Sequence, residues 1–183
     1  MSKRDLKKYA SELTKEQLEL QLIELYEKFT EVKTYFNFVF NPNEKNLLKE
    51  AKFKISNEYY PLTTRKPKLR RSTSQKIIKQ YITLGVDAFV VADIMLYTIE
   101  IAQSYTQEKM INQESFYKSM LTTFEQAINY CVEKGIVNDF KDRSIAIIKE
   151  ATNQKWNNSY QFQVIAERIF YKKKKKSTFR TLF

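Results

Sequence analysis

Two glycines and three prolines in 183 residues leave this chain few ways to turn sharply. Tight β-turns draw on glycine, proline and asparagine at fixed positions, so a sandwich of short strands is out of reach. The sequence carries a 3.6-residue apolar period in every strong segment and no sustained alternation. That pattern predicts an all-α fold, a multi-helix bundle or a short stack of helical hairpins with about seven helices. No segment repeats another at a fixed period, which makes a repeat solenoid the weaker option. Apolar residues make up 43% of the chain and aromatics 14%, enough for a genuine core.

Local signals place the helices. Ser2 caps a short first helix to about residue 13, and Thr14 followed by Gln17 forms a capping box for the next. From there Leu18, Leu22, Leu25, Phe29, Val32, Phe36 and Val39 recur at spacing 4-3-4-3-4-3, three heptads in one helix. Such a stripe suits a dimer seam or a seam against neighbouring helices of the same chain. Leu20 and Ile23 widen the apolar face, which favours the intramolecular seam. Pro42 at a first helical position, with Glu44 two residues on, opens a helix to Tyr59. Gly85 and Gly135 end later helices. The organisation expected is one helical domain over 1–171. It divides into an N-terminal helical hairpin region (1–60), a basic loop (61–73) and a main helical core (74–171). A basic, disordered tail at 172–183 follows.

Charge is unevenly placed along the chain. The net charge is +11, yet residues 61–84 hold seven cations and no acid, and residues 168–183 hold the same balance. Residues 85–167 carry seven cations against eleven acids. The loop contains Arg65, Lys66, Lys68, Arg70 and Arg71, held extended by Pro67. Cations held in an extended loop can spread along a phosphate backbone, and arginine's fork can bind two oxygens at once. The competing expectation is a solvated loop whose cations pair with acids from 85–167. The tail contributes Lys172, Lys173, Lys174, Lys175 and Lys176, a run that repels itself and invites a polyanion.

Chemistry that depends on histidine is excluded, because the chain has none. A single cysteine, Cys131, rules out an internal disulfide and a cysteine-built zinc site. It falls on the stripe of Phe124 and Ala127, where a buried, inert thiol is expected. Asp93, Tyr97, Glu100 and Ser104 share one helix face at spacing 4-3-4, a pattern better suited to a solvated polar face than to acid–base work. Trp156 is expected as a core plug. No catalytic, cofactor-binding or metal-binding residue is assigned. The stretch 88–99 is too short to span a bilayer, and the amino terminus lacks an apolar signal core. A cytoplasmic location is the corresponding expectation.

The segments Ser2-Lys3-Arg4-Asp5-Leu6, Gln113-Glu114-Ser115-Phe116-Tyr117, Arg65-Lys66-Pro67-Lys68-Leu69-Arg70-Arg71-Ser72 and Asn153-Gln154-Lys155-Trp156 resemble a family of uncharacterised bacterial helical proteins. The resemblance implies a small helical protein and transfers no activity, cofactor or site. Three functions follow from the residues. The first is a non-catalytic helical module contacting nucleic acid or another polyanion through its two basic segments. The second is an adaptor docking an acidic or helical protein. The third, and weakest, is a carboxylate enzyme.

Overall fold

The computed structural model describes residues 2–170, and these are helical with no strand among them. Nine helices occur among the described residues, against about seven expected. The chain divides into two compact units, residues 1–43 and the remainder from 44 on.

The first unit holds α1 (Lys3–Ser11), α2 (Lys15–Lys28) and α3 (Thr30–Phe40). Both expected capping boxes form. The Ser2 hydroxyl accepts from the Asp5 N–H, and the Thr14 hydroxyl accepts from the Gln17 N–H, with each N3 side chain answering. The expected single helix through residues 18–39 does not form. Phe29, at φ −117° and ψ 113°, separates α2 from α3. It supplies no side-chain cap to α3. The Tyr26 hydroxyl donates to Asn37 Oδ1 at 3.1 Å, and the Lys33 ammonium lies 5.7 Å from the Tyr26 ring. These contacts link the two helices across the break. None of the three helices contains a buried residue.

The second unit is built around α6 (Ala88–Glu108). Its faces are packed by α4 (Glu44–Tyr59), α5 (Arg71–Leu84), α7 (Glu114–Glu133) and α8 (Lys141–Asn153), while α9 (Ser159–Phe170) packs on α7 and α8. Val91, Ile94, Leu96 and Ile99 of α6 are fully buried, as are Ile55, Phe124 and Ile128 of its neighbours and Phe162 of α9. A wide apolar face is what packing against several neighbours requires, and only a narrow polar stripe through Asp93 and Glu100 interrupts it. Trp156 is the core plug expected, 5.3 Å from the Tyr117 ring and 5.9 Å from Phe162. Helix α4 begins at Glu44, so Pro42 precedes it rather than occupying its first turn. Among the described residues no helix is long and apolar enough to cross a membrane.

Candidate functional site

The basic loop leaves α4 at Tyr59 and re-enters helix at Arg71, inside the stretch 61–73 expected to be loop. Glu58 fixes it twice. Its backbone carbonyl accepts from the N–H groups of Lys68 and Leu69 at 3.0 and 3.1 Å. Its carboxylate accepts Arg70 Nε and Nη2 at 3.0 and 2.8 Å, and the Thr73 hydroxyl at 2.9 Å. Leu69 takes the left-handed conformation at φ 53°, which lets two successive N–H groups converge on one carbonyl. The fork–fork geometry and the buried carboxylate make this a strong, specific pair. The hydrogen bonds from Arg70 hold the Glu58 carboxyl below the usual carboxylate range, against the pull of burial.

Arg71 leaves the loop in another direction. It opens α5 and donates through Nε to the Thr123 hydroxyl at 2.9 Å and through Nη2 to Gln126 Oε1 at 2.8 Å. Burial without a carboxylate partner pulls its pKa down. The remaining cations, Arg65, Lys66 and Lys68, are exposed, and no ion pair to any of them occurs among the described residues. The five loop cations thus divide into two that build the loop and three that face solvent. The acid that pairs with the loop is Glu58, not one from residues 85–167. Sequence reasoning missed it, because no spacing rule ties an acid to an arginine across a loop. Beside Arg71, a groove of about 410 Å³ runs between α5 and α7 above Met95, edged by Gln75, Gln126 and Asn129. The lysine run at 172–176 lies outside the described residues.

The acidic stripe on α6 departs from its expectation. Asp93 and Glu100 are half-buried and receive Arg143 from α8, while Ser104 stays exposed. Arg143 Nε and Nη2 meet the two Glu100 oxygens at 2.6 and 2.8 Å, and Nη1 meets Asp93 Oδ1 at 2.5 Å. Lys52 of α4 reaches Asp93 Oδ2 at 2.7 Å and lies 5.1 Å from the Tyr97 ring. Two carboxylates balanced by two cations form a neutral clamp between three helices, with neither carboxylate left over for acid–base work. Cys131 is fully buried, and burial pushes its thiol up to about 11, with Arg143 only partly offsetting this. A thiol so placed is a poor nucleophile.

Segments distant in sequence converge in this unit. Tyr117 stacks edge-on against Trp156, the Asn158 amide donates to the Tyr117 carbonyl at 2.7 Å, and Arg71 ties the loop to α7. A model of a family of unknown function, DUF6155, matches residues 1–170. The chain belongs to this family. No curated protein and no solved structure matches it.

Proposed function

We propose that the protein is a non-catalytic helical module that holds a polyanion, nucleic acid first, on the loop at 61–70. One observation carries the reading. Arg65, Lys66 and Lys68 project from a backbone anchored by Glu58, with no acid claiming them among the described residues. A pinned loop loses less conformational entropy on binding than a free one. Phosphate contacts of this kind position a ligand without reading its sequence. The groove between α5 and α7 adds Lys79 and the amides of Gln75, Gln126 and Asn129, which can donate to sugar or phosphate oxygens, together with one carboxylate, Glu133. Lys172 to Lys176 would add a second, electrostatic contact. The test is a gel shift at low salt with an unrelated single strand and an unrelated duplex. Binding of both, reduced by Arg65→Gln, Lys66→Gln and Lys68→Gln together, supports the proposal. Absence of binding overturns it.

A second reading, an adaptor that docks a helical protein, draws on a different observation. Leu6, Leu18, Leu20, Leu22, Ile23 and Leu25 in α1 and α2 are all exposed. Pull-down by the full chain but not by a Leu20→Glu, Ile23→Glu variant is the matching measurement.

A further inference from the structure

We propose that a second copy of this chain covers the stripe at 18–39, with α2 and α3 straightened into one helix and two such helices paired antiparallel. The inference is independent of the loop and stands on the first unit alone.

The stripe is only partly covered within its own unit, with Val32 and Phe36 half-buried. Leu22, Phe29 and Val39 are each about half exposed, and α1–α3 bury no side chain. A unit of this size without a core is below what a chain sustains unaided, and oligomerisation is one of the usual remedies. The break at Phe29 does not disturb the heptad phase, because Phe29 itself occupies a stripe position. Nothing in Lys28-Phe29-Thr30 obliges a break: there is no glycine or proline, and no side chain caps the end. Moving Phe29 from extended to helical geometry would allow the N–H groups of Thr30, Glu31 and Val32 to bond four residues back.

A second copy fits the straightened stripe for a reason internal to the sequence. In an antiparallel pair, Leu22 meets Val39 of the second copy, Phe29 meets Val32, and Phe36 meets Leu25, so every layer sets a larger residue against a smaller one. At the flanks Tyr26 meets Lys33 of the second copy and Lys28 meets Tyr35, both cation–aromatic pairs. The Tyr26–Lys33 contact, present within the chain at 5.7 Å, is thereby regained between copies. A parallel pair would instead set Lys28 against Lys33 on both flanks, where like charges oppose association.

Sedimentation equilibrium of the full chain over about 1 to 100 µM tests this. The expected mass is twice 21.9 kDa. Leu25→Glu should weaken association at least about 100-fold and return the single-chain mass, since it places a charge in two core layers. Fluorescence of Trp156, the sole tryptophan and part of the second unit's core, should show an unchanged unfolding transition in that variant. Lys28→Glu should weaken the dimer by removing the Tyr35 contact. A wild type that is monomeric throughout the range overturns the proposal, and so does a Leu25→Glu variant that stays dimeric. Tighter association on Lys28→Glu would overturn the antiparallel pairing.

Discussion

Lys155 stands where glycine stands at two other helix ends. Gly85, Gly135 and Lys155 all take positive φ, at 76°, 75° and 56°. In each case the left-handed residue donates three residues back, and the next residue donates five back: Val86 to Tyr81, Ile136 to Cys131, Trp156 to Ala151. The residue after the turn is buried each time. The same closure is therefore built twice with glycine and once with lysine, and a side chain there carries a backbone cost of about 1 kcal/mol. Lys155→Gly should stabilise the second unit by about 0.5 to 1 kcal/mol, the glycine's extra unfolded-state entropy limiting the gain. Gly135→Ala should cost about 1 kcal/mol. Space does not enter, since an added Cβ at Gly135 meets nothing within 4 Å. Urea unfolding followed by Trp156 fluorescence measures both. The glycines were legible as helix ends in the sequence. Lys155 was not, because lysine carries no turn signature of its own.

Glu58 makes the fold sensitive to pH. Its folded pKa is depressed, so its contribution is present above the pKa of an unfolded glutamate and is lost as pH falls through the folded value. Glu58→Gln should lower the melting temperature by a few degrees at neutral pH, and the difference from wild type should shrink in acid. A difference that persists unchanged at low pH would show that the carboxylate's charge is not what holds Arg70. The same variant releases Arg70 as a free cation, so nucleic-acid binding should become more salt-dependent even as the protein becomes less stable.

At the scale of elements, periodicity reports which residues share a face but not what that face meets. The spacing of Asp93, Tyr97 and Glu100 was plain, yet it reads identically for a solvated stripe and for a clamp on Arg143. The deciding partner lies some fifty residues away on α8. The clamp is half-buried, with Arg143 27% and Glu100 34% exposed. Arg143→Ala strands Glu100 between α6 and α8 and leaves Asp93 with Lys52 alone. It should cost about 2 kcal/mol, less than the 3–5 of a fully buried pair because water reaches Glu100. Adding Asp93→Asn and Glu100→Gln should recover part of the loss, which thermal unfolding of the single and triple variants would reveal. Similarly, the stripe at 18–39 was legible as a heptad pattern. The break at Phe29 was not, because no local residue causes it.

For the whole molecule, the all-helical class followed from scarce glycine and a single apolar period, and both are properties of the entire chain. The division at residue 43 follows from where buried side chains begin, with Ala51 and Ile55 of α4 the first fully packed ones. The candidate surface was legible as a cluster of cations, and its division into builders and free charges needed three dimensions. That division makes the polyanion claim quantitative. Only Arg65, Lys66 and Lys68 remain available on the loop, and each phosphate neutralised on a single strand contributes about −0.7 to the log–log salt slope. Fluorescence anisotropy with a labelled single strand, titrated at stepped salt, compares wild type with the variant carrying glutamine at all three positions. The slope should fall in magnitude by about 2, with the same loss on strands of unrelated sequence. An unchanged slope, or no binding by wild type even at low salt, would contradict it.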